Sequence, residues 1–301
     1  LGATLQGIEW YRYKRKGCHD HSEMASEFPS DDIEAFAHSG RPAFDLAMVA
    51  EMKAEAVKYN SIVQIGEVSG KTTKGVNSLQ NCTFKPHENG NLKVWWMPDL
   101  TEKIKHRYLV VVDVGGKSAK ADFSDILVID REPLMYCGKP KIVAEWHGHV
   151  SHDLLAWKAA QIATFYDTAL LAIEINTYEK GKYSEEIDPD FGEYVLSIIN
   201  DTYPNMYYRE GKVEDITEKP PTKFGWVTDR WTKPRIIAGM MTMVSNKGWI
   251  EPEPAACDEM GYYEIKKDGT YGNIAGKDKH DDRVMVRAIG FEIAANMPQP
   301  K

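Results

Sequence analysis

The sequence predicts an α/β fold, and three observations support this prediction. Residues 108–113 and 169–176 are apolar at successive positions, which is typical of strands buried on both faces of a sheet. Between them, the apolar positions of residues 151–167 fall mostly on one face of a helix. The residues Gly138 and Pro140 interrupt the chain between apolar segments, as expected of a turn.

The predicted elements follow the order strand, strand, strand, helix, strand. The strands are residues 108–113, 125–130, 141–150 and 169–176, and Ser151 can cap the helix that precedes the last of them. Further along we expect a helix at 192–202, a short strand at 206–209, a helix at 234–246 with Thr232 as its cap and Pro234 in its first turn, and a hairpin at 262–275.

Acidic residues stand where three of these segments meet polar loops. Asp113 ends the first strand, Glu174 lies near the end of the fourth, and the pair Asp281-Asp282 opens an apolar helix. A buried carboxylate without a partner is costly, so each of these acids needs a cation, an arginine or a lysine. Carboxylates from distant segments are the ligands that hard divalent cations require. Structural ion pairs and, for the acidic pair, helix capping are the alternatives.

Four stretches of sequence carry a shared pattern. They are residues 108–116 around Asp113, 172–176 around Glu174, 224–235 from Phe-Gly-Trp to Lys-Pro-Arg, and 279–285 around the acidic pair. This pattern resembles the nuclease domain of the large terminase subunit of tailed phages, the DNA-packaging motor, and covers most of residues 100–296. The resemblance implies an RNase H-like (retroviral-integrase-like) fold, in which helices flank a mixed central sheet.

The resemblance also extends upstream. Residues 27–44, with Phe28-Pro29 and Ser39-Gly40, resemble the segment with which the terminase ATPase domain ends, and no intact Walker A motif is present. It therefore implies a remnant of the ATPase domain at residues 1–50, a linker with connecting strands at 51–100, and a nuclease domain at 101–301. We expect the chain to be a C-terminal fragment.

As a function, the resemblance implies a divalent-metal-dependent endonuclease that cuts concatemeric double-stranded DNA in the cytoplasm of an infected or lysogenic bacterial host. Asp113 would bridge two Mg²⁺ or Mn²⁺ ions, Glu174 would bind one, and Asp281 or Asp282 the other. Asp122 is an auxiliary ligand for which Asp125 competes. Implied partners are double-stranded DNA, the portal protein, the small terminase subunit and the ATPase domain of the full-length motor, with no membrane.

Two other functions stay open. One is another RNase H-like nuclease, of the resolvase or transposase type. The other is a non-catalytic module that docks the motor on the portal or capsid. The net charge of −8 argues at first against nucleic acid, but metal ions reverse the local sign at an acidic site.

Basic residues next to the expected ligands are candidates for contacting DNA phosphates, although a residue of this kind is more often a solvated surface charge. They are Lys117, Lys120, Lys180, Lys182, Lys233, Arg235, Lys277 and Lys279. His280 could orient a ligand or relay a proton, but a histidine at a helix start is more often simply exposed.

Other motifs favour ordinary structural roles. Residues 66–72 resemble a P-loop with three instead of four residues between the glycines, so we interpret them as a loop. Residues 18–21, Cys-His-Asp-His, lack a second ligand pair for zinc. Trp95-Trp96 is interpreted as part of a strand that packs on the main domain, with residues 83–85 as its hairpin partner. The composition, 43% hydrophobic and 27% charged without a long apolar run, is that of a globular protein.

Overall fold

The computed structural model describes residues 4–18, 24, 28, 41–115, 123–176, 191–210, 222–266, 268–274 and 280–301. Its helices are α1 (Leu5–Arg15), α2 (Leu46–Ala56), α3 (His152–Phe165), α4 (Phe191–Ile199), α5 (Thr232–Ser245), α6 (Pro254–Gly261) and α7 (Asp282–Asn296). No helix in these ranges is long and apolar enough to cross a membrane.

The strands are β1 (Arg41–Pro42), β2 (Gln64–Ser69), β3 (Thr83–Pro86), β4 (Leu92–Val94), β5 (Tyr108–Asp113), β6 (Ser124–Asp130), β7 (Lys141–Gly148), β8 (Leu170–Asn176), β9 (Tyr208–Glu210), β10 (Thr222–Phe224), β11 (Trp226–Thr228), β12 (Tyr263–Ile265) and β13 (Tyr271–Asn273). Strands β9 and β10 pair with each other, and β1, β12 and β13 form a small separate sheet.

An eight-stranded sheet forms the centre of the molecule, in the order β11-β8-β5-β6-β7-β4-β2-β3. Strands β11, β8 and β5 run parallel, whereas β6 and β7 continue the sheet in antiparallel pairs. Helices cover both faces, so the expected mixed central sheet flanked by helices is confirmed. The order strand, strand, strand, helix, strand is confirmed as well.

Alternation along β5 and β8 divides the core between the two faces. Val110 and Val112 of β5 belong to the cluster packed by α3 and α4, together with Leu171 of β8. Val111 and Ala172 belong to the opposite cluster, which α5 and α7 complete. Because both faces are covered, these strands are apolar at every position, as their sequences predict.

Helix α7 lies unusually close to the sheet. At Gly290 an added Cβ atom would lie 2.7 Å from Cδ1 of Ile129 and 3.3 Å from Cγ2 of Val111. Real Cβ atoms do not approach that closely, so glycine permits this contact. The close packing brings the start of α7 to the end of the sheet at which β5 and β8 finish.

Three local predictions differ from the structure. Residues 83–85 were expected to pair with the tryptophan segment, but β3 pairs with β2, and β4 pairs with β2 and β7. The segment 66–72, interpreted as a loop, begins within strand β2. Thr232 is the first residue of α5, and Trp231 takes the N-cap position. For the two strands a tertiary partner decided the outcome, and the local sequence does not identify that partner. The start of α5 is set instead by the local turn around Asp229.

The tryptophan segment packs as predicted. Trp95 is buried in the core and Trp96 is partly buried against it. The ring of Trp96 contacts Tyr59 edge-on, and Nζ of Lys141 lies 4.7 Å from its centroid. Packing therefore accounts for this pair of residues.

Candidate active site

Asp113 and Glu174 occupy corresponding positions at the ends of neighbouring parallel strands. Val112 of β5 is paired with Ile173 of β8, and the two acids follow directly on each strand. Residues opposite each other in a sheet point to the same face, here the face covered by α5 and α7. The strands therefore bring together two acids that the sequence separates by a whole strand-strand-helix unit.

The carboxyl groups of these two residues share a hydrogen bond. Burial and the negative charge of Glu174 raise the pKa of Asp113 well above its usual range. Burial also raises the pKa of Glu174, against the opposing effect of hydrogen bonds from Asp113 and Thr228. Both carboxyls therefore take up a proton more readily than free carboxyls do.

The acidic pair that opens α7 completes the group. Asp282 is buried, and its Oδ2 atom accepts a hydrogen bond of 3.3 Å from the backbone N–H of Phe123. Asp281 is partly exposed, and its Oδ2 atom lies 3.9 Å from Nζ of Lys233. Both aspartates contribute to the raised pKa of Asp113, with Asp282 the stronger. Four carboxyl groups from three distant segments thus converge on one end of the sheet.

Lys233 is the cation that the described residues place at this group. It stands in the first turn of α5, and its charge partly offsets the rise that burial causes in the pKa of Glu174. The preceding turn is built around Asp229, whose Oδ1 atom accepts hydrogen bonds of 2.8 Å from the backbone N–H groups of Trp231 and Thr232. The turn between β11 and α5 therefore holds a positive charge against the acids.

A second polar cluster continues along the same face of the sheet. Asp125 is opposite Asp113 across the β5-β6 pair, and His147 is opposite Asp125 across the β6-β7 pair. Nδ1 of His147 lies 3.3 Å from Oδ2 of Asp125. Burial and Arg283 lower the pKa of His147 to about 3, so its ring is neutral at physiological pH.

Asp125, Glu145 and His147 each offer a ligand atom within 4.8 Å of the others. Among the described residues, no three of the acids predicted to bind metal have ligand atoms that lie this close together. Glu145, however, already has two guanidinium partners, with Nη2 of Arg287 at 3.0 Å and Nε of Arg283 at 2.9 Å. These arginines hold the pKa of Glu145 well below its usual range despite burial. We therefore interpret this cluster as an ion-pair network.

The network fixes the first turns of α7. Arg287 is fully buried, and its Nε atom donates to Oε2 of Glu251 at 2.7 Å, while Nη1 of Arg283 donates to Oε1 of Glu259 at 2.8 Å. Both arginines lie within five residues of Asp282. The helix start that carries the acidic pair is thereby bound to β7 through Glu145, to Glu251 before α6 and to Glu259 within α6.

The predicted DNA-contacting residues fall into two groups. Lys117, Lys120, Lys180, Lys182, Lys277 and Lys279 lie outside the described residues, as does the auxiliary acid Asp122. Lys233 joins the acids, whereas Nη2 of Arg235 is 3.2 Å from Oε1 of Glu292, on the later part of α7. His280 contacts the ring of Phe123 edge-on, and Phe123 also stacks on His147 and His149.

Sequence reasoning missed Thr228, Glu145, Arg283 and Arg287. A weak signal existed for the arginines, since charged residues within an apolar helix need buried partners. Glu145 is likewise a charged residue within a mostly apolar strand. Neither signal identifies the partner.

No protein-family model matches the sequence, and no curated protein matches it either. Among solved structures, the large terminase nuclease of the thermophilic phage G20c with bound magnesium is 17% identical, with a TM-score of 0.45 over 68% of this chain and 89% of that chain. The large terminase nuclease domain of Thermus phage P74-26 is 15% identical, with a TM-score of 0.42 over 68% and 86% of the two chains. The large terminase of bacteriophage HK97 is 10% identical, with a TM-score of 0.41 over 98% and 52%.

These identities and scores are low. The function proposed for this chain therefore rests on its own residues.

Proposed function

We propose that this chain is the nuclease part of a viral DNA-packaging terminase, a metal-dependent endonuclease that hydrolyses phosphodiester bonds of concatemeric double-stranded DNA. The observation that carries the proposal is the convergence of Asp113, Glu174 and the pair Asp281-Asp282 at one end of the sheet. The four sequence stretches that resemble terminase nucleases contain these same acids. The proposal thus unites a sequence pattern with a spatial one.

The donor set fits a hard divalent cation. All four groups are carboxyls, and burial together with the negative charges of the other three raises the pKa of Asp113, as expected of a site that favours a cation. Lys233 supplies one positive charge at 3.9 Å from Asp281. Mg²⁺ or Mn²⁺ would offset the remaining negative charge.

In this proposal the strand ends supply Asp113 and Glu174 as metal ligands, and the start of α7 supplies Asp282. When bound, a pair of such ions supplies Lewis-acid activation of a water molecule and neutralises charge on the leaving oxygen. Asp281 pairs with Lys233, which can also contact a DNA phosphate. Thr228 donates to Glu174 and keeps that carboxylate oriented.

Plasmid cleavage in Mg²⁺, in Mn²⁺ and in EDTA tests the proposal, with the Asp113→Asn variant beside the unmodified chain. The matched control is Asp153→Asn, because Asp153 is on α3 at the other face of the sheet, where it pairs with Lys74. We expect metal-dependent nicking and linearisation that Asp113→Asn abolishes and Asp153→Asn retains. Failure of the folded, unmodified chain to cut in either metal would count against a nuclease and favour a docking role.

A further inference from the structure

The turn between β11 and α5 presents a tryptophan to solvent. Trp231 is 73% exposed, and the next most exposed of the eight tryptophans, Trp10, is 49% exposed. A single exposed aromatic ring is common on protein surfaces and needs no explanation by itself. Its surroundings make this one informative.

The backbone that carries the ring is firmly held. Besides the two backbone N–H groups that donate to Asp229, the hydroxyl of Thr232 donates to the carbonyl of Val227 at 3.0 Å. The same hydroxyl accepts a hydrogen bond of 2.7 Å from the N–H of Asp229. An aromatic side chain on such a turn loses little backbone entropy when a ligand contacts it.

One positive charge lies at the ring, and a second, in the same turn, lies at the acids. The guanidinium carbon of Arg230 lies 5.1 Å from the ring centroid of Trp231. Two residues further on, Lys233 approaches Asp281 at the acidic site. The turn therefore presents an indole face and two cations beside the group of carboxyls proposed to cut DNA.

Aromatic faces combined with cations are the surface that single-stranded nucleic acid recognises, through base stacking and phosphate contacts. Bases inside an intact duplex have both faces covered by their neighbours. A rigid exposed indole can therefore stack on a base only where a face of that base is uncovered, as at a strand end, a nick or a locally melted, unpaired step.

Resting on the nuclease function proposed above, we propose that Trp231 stacks on an unpaired DNA base beside the cut, while Arg230 and Lys233 contact the flanking phosphates. The chain would then distinguish distorted from fully paired DNA at the step of binding.

Binding by the full chain tests this inference, with a short fluorescent duplex and the same duplex carrying an unpaired bulge as probes. The assay uses Ca²⁺, and gels confirm that the probes stay intact. The variants are Trp231→Ala and Trp231→Phe. The control is Tyr136→Ala, because Tyr136 is 71% exposed but follows β6 at the opposite end of the sheet from the acids.

We expect Trp231→Ala to weaken binding of the bulged duplex about fivefold or more, the range for loss of one base-stacking ring, with a smaller effect on the paired duplex. Trp231→Phe should retain part of the affinity, and Tyr136→Ala all of it. Bulged DNA should also quench a tryptophan emission component that is absent from Trp231→Phe.

The outcomes separate the two proposals. If the unmodified chain cuts plasmid DNA while Trp231→Ala binds the bulged duplex as tightly as Tyr136→Ala does, the stacking contact is wrong and the nuclease stands. If the chain binds bulged DNA through Trp231 but never cuts, the contact stands and the nuclease is wrong. Absence of both binding and cleavage by the folded chain overturns both.

Discussion

Asp113 and Glu174 lie opposite each other at the ends of two parallel strands, and a hydrogen bond joins their carboxyl groups. Neighbouring carboxyls of this kind cannot both ionise at little cost, since like charges at short distance raise the pKa of one of them.

The hydrogen bond predicts how Asp113→Asn affects stability. The amide of asparagine can donate to Glu174 as a protonated carboxyl does. We therefore expect the free energy of unfolding of the metal-free variant to lie within about 1 kcal/mol of that of the unmodified chain. Urea denaturation in EDTA measures this difference. Adding Mg²⁺ should then raise the melting temperature of the unmodified chain more than that of the variant. An equal rise in both would show that Asp113 is not a ligand.

The two acids at the start of α7 should differ in their effect on cleavage. Asp282 is buried and acts more strongly on Asp113, whereas Asp281 is partly exposed beside Lys233. We expect Asp282→Asn to reduce the cleavage rate at least about 100-fold, the usual cost of one electrostatic group at a reaction centre. Asp281→Asn should reduce the cleavage rate by no more than about tenfold. The reverse order of effects in the plasmid assay would reassign the ligand to Asp281.

The buried ion pairs predict a large stability effect at Arg287. Replacing it with methionine leaves Glu145 and Glu251 without their common partner, at a cost of about 3–5 kcal/mol. Chemical denaturation measures this loss. The triple variant Arg287→Met, Glu145→Gln, Glu251→Gln should recover part of it, because no uncompensated charge then stays buried. No recovery would mean that packing of the arginine, rather than charge, sets the cost.

The lowered pKa of His147 predicts that the stability of the folded chain decreases in acid. Its pKa is about 3 in the folded chain, below the value of about 6.5 for an unperturbed histidine. The unfolded chain therefore binds the proton first, and stability decreases as the pH falls from about 6.5 towards 3, by at most about 5 kcal/mol. Above pH 6.5 both states are neutral and the contribution is constant.

The variant His147→Gln provides the measurement. It keeps a side-chain donor for Asp125 and cannot gain the charge. Its free energy of unfolding should fall less steeply than that of the unmodified chain between pH 6.5 and 4. Parallel curves for the two proteins over this interval would contradict the assignment.

The local sequence was sufficient to predict the strands at the centre of the fold. The apolar runs that form β5, β6 and β8 were located within one or two residues, because strands buried on both faces leave an unbroken apolar pattern. The same pattern located Asp113 and Glu174, since a charge at the end of such a run is conspicuous. The acidic pair at the start of α7 was found because it opens an apolar run.

Other parts of the site depend on partners far along the chain. Glu145 pairs with Arg287, which lies 142 residues further along the chain, and no feature of the β7 sequence identifies that partner. Trp231 was not singled out, since its exposure results from the turn around Asp229 rather than from its own sequence pattern. The pairing of β4 with β7 likewise escaped prediction, because short strands take their partners from tertiary context.

The pairing of β4 with β7 has a consequence for the solubility of shortened versions of this protein. Strand β7 is eight residues long and mostly buried, and β4 covers the side of it that β6 leaves open. A chain beginning at residue 101 would lack β2, β3 and β4 and would expose that edge as a template for other copies. Size-exclusion chromatography should find such a chain in larger assemblies than the full chain forms. The three strands thus protect the molecule against self-association.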